Sequence, residues 1–519
     1  MSDFLQTILG HRRRVYFVAG LILFWAFENF ILQASSFTAH PLTKHPVVFQ
    51  TVRFAFNLVA AAAVVSLFNR FWLSVLAVLD CLLSAVIVSY NLYFHKALSA
   101  YYAIHTLREG VSVLGFAVQI IPLFVWLLLL GSLLFKLCWI FKLPPQPAAF
   151  RRRGFLVCLA LFLLFLALMQ LSSFKFANLR ATTVTRSVYA YGYLTAWVAD
   201  ALLAPDTREL SQELSRLQTL SPDRLGATEP PWPAGDKLAI LQLESVDYSM
   251  IDYQLDGREV TPYLNRLSRN SRFFKLRSYH DVCTADMDFA LLSGGTHSSR
   301  LISYMIPGLS YSNSLPRFLE QHGYHTVAWH GNNGSFFNRR SNFERMGFSE
   351  TLFKEELYQS ATPASSYWGV RDQALFRLSS EKIRAARGRE FHFIITLDSH
   401  GPFDLITDPE KEIFPASRQW QQNYFNSMRA LDHNIQTYVE SLPAGTLVIL
   451  YGDHTSGVQF GNYFPSKNGP AEYVPCLVHV CGPASLGMPQ DPPPTEIEDL
   501  RIHDIVNHLR RQITRLEKP

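Results

Sequence analysis

The stretch "FLVCLALFLLFLALM" inside residues 154–171 offers no polar face on any helical projection. A helix that is apolar all round belongs in a bilayer or in the centre of a very large core. Five such segments follow one another before residue 174: Val15–Gln33, Phe54–Phe68, Trp72–Phe94, Leu114–Phe141 and Gly154–Leu171. Their lengths lie near the ~20 apolar residues that a membrane crossing requires, the second being the shortest. A multi-pass α-helical membrane domain of five spans over 1–173 is therefore expected.

Basic residues orient it. Arg12, Arg13 and Arg14 precede the first span, Arg70 lies between the second and third, and Lys142 with Arg151, Arg152 and Arg153 lies between the fourth and fifth. Alternation puts all three groups on one side, which the positive-inside bias makes cytoplasmic. Everything after about Phe174 then lies outside the membrane. No small-residue cleavage pattern follows the first span, so it reads as retained. The net charge of +5 is modest and no basic run interleaves with aromatics, which argues against a nucleic-acid partner. Cys476 and Cys481 read as separate small residues flanking a strand, although an oxidising compartment would permit their pairing.

Residues 174–236 read as a helical connector, including "DTRELSQELSRLQTL", followed by a Pro-rich linker over Ser221–Asp236. From residue 237 to 519 the pattern changes. Apolar strands at 237–244, 325–330, 390–398 and 446–452 alternate with amphipathic helices such as "TPYLNRLSRN" and "SLPRFLEQHG". That alternation predicts an α/β domain with a mostly parallel sheet covered on both faces. In such sheets chemistry gathers at the carboxyl ends of the strands.

Three strand ends carry the polar groups this rule asks for: Glu244, then Asp398-Ser399-His400, then Asp453-His454. A neighbouring Asp-His pair serves equally as metal ligands, as an acid/base couple or as loop polarity. In "DVCTADMDFALLSGG" a loop leads into a helix beginning near Thr284. A hydroxyl there faces free N–H groups and suits a nucleophile that handles phosphate. It equally suits an N-cap, with Met287 or Asp288 closing the turn.

The ordered set "LQLESVD", "TPYLNRL", "CTADMDF", "HGNNGSFFNRRSNFERMGF", "SHGPF" and "YGDH" resembles the extracellular domain of lipoteichoic acid synthases. It also resembles the related osmoregulated-glucan phosphoglycerol transferases, all within the alkaline phosphatase/sulfatase superfamily. The resemblance covers about residues 237–485 and includes a five-span anchor. It implies Glu244, Thr284, Asp453 and His454 as ligands of one divalent metal, with Thr284 as catalytic nucleophile. It implies His400 beside the substrate phosphate and Arg339 on the glycerophosphate. Phe337 stands where the family has Trp, and His330 lies close to the same pocket. Three oxygen ligands and one imidazole fit Mn²⁺ or Zn²⁺; the resemblance favours Mn²⁺, with Mg²⁺ a further possibility.

The implied activity is transfer of glycerophosphate from phosphatidylglycerol to an envelope glycan or polymer, on the outer side of a bacterial inner membrane. A formylglycine sulfatase is disfavoured because Cys283 is followed by "TADM" rather than x-Pro-x-Arg. A phosphoethanolamine transferase and a non-catalytic lipid- or metal-binding member are the other readings. Few external cysteines speak against the first, and the complete ligand set against the second.

Overall fold

The computed structural model divides the chain into two compact units, Met1–Asp206 and Thr207–Pro519. It describes residues 16–31, 46–94, 121–143 and 148–169 of the first, with isolated positions between 98 and 197. In the second it describes 207–219, 235–280, 283–298, 302–306, 308–360, 368–401, 423–456, 472–482 and 500–516, with a few single residues between them.

Helices occupy all five expected segments of the first unit: α1 (Tyr16–Ile31), α2 (Pro46–Leu67), α3 (Arg70–Phe94), α4 (Leu123–Lys142) and α5 (Ala148–Met169). The start of the expected fourth segment, before residue 121, lies outside the described residues. Among the described residues, three helices are long and apolar enough to cross a membrane by length and composition, within α2, α3 and α4. The second helix is longer than the apolar count suggested, because Thr51 and Arg53 interrupt the hydrophobic run without ending the helix.

Small residues at the contacts (Ala26, Ala61, Ala77) let these helices approach closely around Leu21, Trp25, Val65 and Ile140. One polar knot sits inside. Lys136 of α4 is fully buried and meets Glu28 of α1 and Asp80 of α3, each at 2.7 Å. Trp25 Nε1 adds a bond to Asp80 at 2.9 Å.

The second unit begins with α6 (Thr207–Gln218). Its sheet has seven strands in the order β4-β9-β8-β1-β7-β5-β6. They are β1 (Lys237–Leu243), β4 (Arg272–Arg277), β5 (Tyr324–His330), β6 (Glu350–Leu352), β7 (Arg389–Ile395), β8 (Leu447–Gly452) and β9 (Tyr473–Val480), with β2 (Gln254–Leu255) and β3 (Arg258–Glu259) forming a two-residue ladder apart from it. The pairs β1–β7, β1–β8, β5–β7 and β5–β6 are parallel, whereas β9 runs antiparallel between β8 and β4. All four strands expected from the sequence are present, and β1 lies between β7 and β8. Residues 238–243 of β1 are all buried, as a strand covered on both faces must be.

Helices α7 (Pro262–Arg269), α8 (Ala285–Ser293), α9 (Leu315–Gln321), α10 (Arg339–Met346), α11 (Lys354–Ser360), α12 (Asp372–Ala385), α13 (Tyr424–Ser441) and α14 (Ile502–Leu516) complete the unit. One face packs Ala239, Leu241 and Leu243 against Leu264, Leu375, Met428 and Leu431. On the other, Phe391 and Phe393 of β7 stack on Phe348, and Phe343 of α10 packs edge-on to Phe393. The packing is tied locally: Asp432 of α13 accepts the N–H groups of Tyr263 and Leu264 at 3.0 and 2.8 Å, capping α7 from a distance. Cys476 and Cys481 are buried free thiols, in line with the expectation of two separate residues.

Candidate metal and phosphate site

Parallel pairing of β1 with β8 brings Glu244 and Asp453 to the same edge, each one residue beyond its strand. The ladder extends into the site, with Asp453 N donating to Leu243 O at 3.1 Å. Gly452 is needed here. A Cβ at that position would sit 2.3 Å from Val246 O. Ser245 turns the chain sharply at φ 59°, and its N–H donates to Asp453 Oδ1 at 2.9 Å. Asp453 Oδ1 also accepts the His454 N–H at 2.7 Å, which locks the carboxylate.

His454 Nε2 faces Glu244 Oε1 at 3.2 Å and Asp453 Oδ2 at 3.6 Å. Its Nδ1 meets Thr455 O at 2.8 Å, which fixes the ring. Glu244, Asp453 and His454 are all buried and offer ligand atoms within 4.8 Å of one another. Asp453 Oδ2 is buried with no hydrogen-bond partner. A buried carboxylate oxygen facing a second carboxylate and an imidazole fits a divalent cation.

The electrostatics carry the same imprint. Burial and the neighbouring Glu244 push the Asp453 carboxyl well above its ordinary range. Burial works against a charged His454, but Asp453 and Glu244 outweigh it and push the imidazole up to about 10. Burial also opposes ionised Glu244, yet His400 and His454 hold it below the usual carboxylate range.

Thr284 immediately precedes α8 and makes no capping bond through its side chain. Asp286 Oδ2 takes the Cys283 N–H instead, at 3.1 Å. The Thr284 hydroxyl lies 3.4 Å from His454 Nε2. Cys283 is buried, and burial raises its thiol well above the ordinary value.

Arg339 opens α10 after two consecutive left-handed residues, Phe337 (φ 52°) and Asn338 (φ 58°). Its buried guanidinium donates from Nε to Asp288 Oδ2 at 2.7 Å and lies with Nη1 3.4 Å from His330 Nε2. Phe337 lies beneath it, 5.3 Å from ring centroid to guanidinium. His330 ends β5, and burial with the adjacent Arg339 pushes its pKa down to about 3. His400 follows β7 with its ring 4.2 Å from that of Trp368; burial lowers its pKa, against the pull of Glu244.

The eight sequence candidates thus fall into two groups. Glu244, Asp453, His454 and Thr284 share one corner, while Arg339, His330 and Phe337 share another. His400 interacts electrostatically with both Glu244 and His330. Asp398 joins neither; it pairs with Arg371 at 2.9 Å. The motifs did not mark His280, whose ring stacks on His454 at 4.1 Å while Nδ1 meets Glu472 at 3.1 Å. Ser399, marked only as part of a strand end, donates its hydroxyl to Glu244 O at 2.7 Å. Asp288 stood only as a turn-closing residue, although its spacing of four from Thr284 within a helix was readable.

Residues 238–481 match the Sulfatase family. Lipoteichoic acid synthase 2 of Bacillus subtilis is 25% identical over 271 residues, 48% of this chain and 41% of that protein. Lipoteichoic acid synthase of Staphylococcus saprophyticus is 24% identical over 226 residues, 41% of this chain and 35% of that protein. The chain therefore spans well under half the length of these relatives. Among solved structures, the lipooligosaccharide phosphoethanolamine transferase A of Neisseria meningitidis superposes with a TM-score of 0.60 at 14% identity. That likeness covers 91% of this chain and 89% of the other, and it shows a shared fold.

Proposed function

Starting from a chain whose residues 238–481 form a sulfatase-family domain, we propose that the protein is a membrane-anchored, metal-dependent phosphoglycerol transferase. It moves glycerophosphate from phosphatidylglycerol to a cell-envelope glycan or polymer. The observation that carries this reading is the buried set Glu244, Asp453 and His454 with the uncapped Thr284 hydroxyl 3.4 Å from His454 Nε2.

Glu244, Asp453, His454 and Thr284 would hold one divalent cation, Mn²⁺ by resemblance to the lipoteichoic acid synthases. Such a cation would supply Lewis acidity, lowering the pKa of the Thr284 hydroxyl and polarising the phosphoryl oxygen. Thr284 Oγ1 forms a bond to phosphorus as the bond to the diacylglycerol oxygen breaks. The hydroxyl proton leaves to solvent, and the departing alkoxide takes one, with His400 placed to supply it or to hold the phosphate. An acceptor hydroxyl then displaces Thr284, restoring it and carrying away the glycerophosphate. Arg339 pairs with a phosphate oxygen, and His330 and Phe337 line the same end. The first unit retains the enzyme in the inner membrane with a cytoplasmic N-terminus, so the catalytic domain meets lipid on the periplasmic or extracellular side.

Full-length protein in detergent, given Mn²⁺ and fluorescent phosphatidylglycerol, is expected to release diacylglycerol and to gain a glycerophosphate mass on Thr284. Release from phosphatidylethanolamine alone would replace glycerophosphate by phosphoethanolamine as the group transferred. Release from neither lipid, with metal bound, would overturn the transferase reading.

A further inference from the structure

Asp288 lies one turn past Thr284 on α8, fully buried, and its ion pair with Arg339 is shut off from solvent at both ends. Two of the three guanidinium nitrogens are engaged: Nε donates to Asp288, and Nη1 lies near His330. Nη2 is buried and has no hydrogen-bond partner. The protein maintains this arrangement at a cost. Phe337 and Asn338 are both left-handed, a strained conformation for Phe337, and the turn they make delivers Arg339 to Asp288. Asn342 braces the turn from within α10, donating to Asn338 O at 2.7 Å and Tyr304 O at 3.0 Å.

A buried arginine needs no carboxylate partner to bind phosphate, because the anion itself would supply the counter-charge. A carboxylate already in place changes the net charge of the subsite without removing its free donor. We propose that Asp288 is a specificity-determining residue: by pairing with Arg339 it makes this end of the site electrically neutral, so that a phosphodiester monoanion is accepted and a phosphomonoester dianion is rejected. The inference rests on the phosphotransferase reading and names the charge class that the site selects.

The surroundings agree. His330, with its pKa near 3, adds no positive charge at neutral pH. Burial pushes Asp288 up to about 6, against the pull of Arg339, so it is ionised at pH 8. Coulomb energy scales with the product of charges, so one uncompensated positive charge in a partly desolvated pocket favours a dianion over a monoanion by about tenfold or more.

The test compares kcat/KM for bis-p-nitrophenyl phosphate and p-nitrophenyl phosphate at pH 8, using full-length protein in detergent with Mn²⁺. Asp288→Asn is expected to raise the monoester-to-diester ratio by about tenfold or more and to tighten inhibition by inorganic phosphate by a similar factor. Arg339→Gln is expected to move the ratio the opposite way, and the double variant to return it near wild type. If Asp288→Asn does not fold, the Arg339→Gln and double variants decide the matter. Equal loss on both substrates, with the ratio and phosphate inhibition unmoved, would assign Asp288 a purely structural role and overturn the proposal. A wild type inactive on every diester would defeat the transferase reading instead; phosphate binding by calorimetry, unchanged or tightened in Asp288→Asn, would still decide the charge argument.

Discussion

Thr284 Oγ1 lies 3.4 Å from His454 Nε2, although the two residues are 170 positions apart in sequence. One precedes a helix and the other follows a strand, and neither position has a local reason to meet the other. The Thr284 hydroxyl makes no capping bond, and the side chain that is tied up at the start of α8 is that of Asp286, which accepts the Cys283 N–H. This division of labour between residues two apart distinguishes a reactive hydroxyl from a structural one.

Thr284→Ala is expected to abolish diacylglycerol release and the mass adduct while leaving the melting temperature within a few degrees, since the lost hydroxyl makes no capping bond. Thr284→Ser keeps the hydroxyl and is expected to retain activity within about a hundredfold. Full activity in the Ala variant would remove Thr284 from the mechanism.

Metal binding is expected to expel protons. In the metal-free protein His454 keeps its proton up to about pH 10, above its ordinary 6.5. A cation needs the neutral imidazole, so apparent Mn²⁺ affinity should climb between pH 6 and 8, by up to about tenfold per unit for each proton displaced. Calorimetry in buffers of different ionisation heat measures the protons released, and an affinity flat across that range contradicts the prediction. The stability sign follows: His454's contribution to the metal-free fold is fully present below pH 6.5 and is lost as pH rises through about 10.

Asp453→Asn should separate stability from function. Asn retains an oxygen for the N–H groups of Ser245 and His454 while removing a buried charge whose second oxygen has no partner. The metal-free variant is expected to melt a few degrees higher than wild type, and Mn²⁺ to raise its melting temperature no further. Differential scanning fluorimetry with and without Mn²⁺ reads both; an Mn²⁺-induced shift as large as that of wild type would remove Asp453 from the ligand set.

In the membrane unit, Lys136→Ala leaves the partly buried Glu28 and Asp80 without their shared, fully buried cation. Removing one partner of a buried ion cluster costs about 3–5 kcal/mol in soluble proteins. The variant should show lower yield and melting temperature in detergent, and Lys136→Arg should recover part of the loss. Wild-type thermal behaviour in the Ala variant would mean that the cluster carries no stability.

The apolar strands β1, β5, β7 and β8 were legible because burial on both faces demands continuous hydrophobic runs. Once they were placed, the rule of strand carboxyl ends pointed to Glu244, His400, Asp453 and His454. The edge strand β4 and its antiparallel neighbour β9 were not legible. "RFFKLR" alternates charge with aromatics, and β9 carries Pro475 and His479, so neither looks like a core strand until its antiparallel partner is known. Asp398 misled for a different reason: it satisfies the same rule as its neighbours, yet Arg371 captures it. Stacking of His280 on His454 had no local signal, because a ring contact between distant segments leaves no spacing in the chain.

The central position of β1 bears on how the domain is made. Ile240 pairs with Phe393 on one side and Ile449 on the other, so both partners of this strand are synthesised long after it. Such non-local pairing makes folding slow. An almost wholly apolar segment, "LAILQL", must wait unpaired while about 150 further residues emerge. The strand that sets Glu244 in the site is therefore also the segment most exposed to aggregation during biogenesis, and production of the domain will be limited by how well that interval is protected.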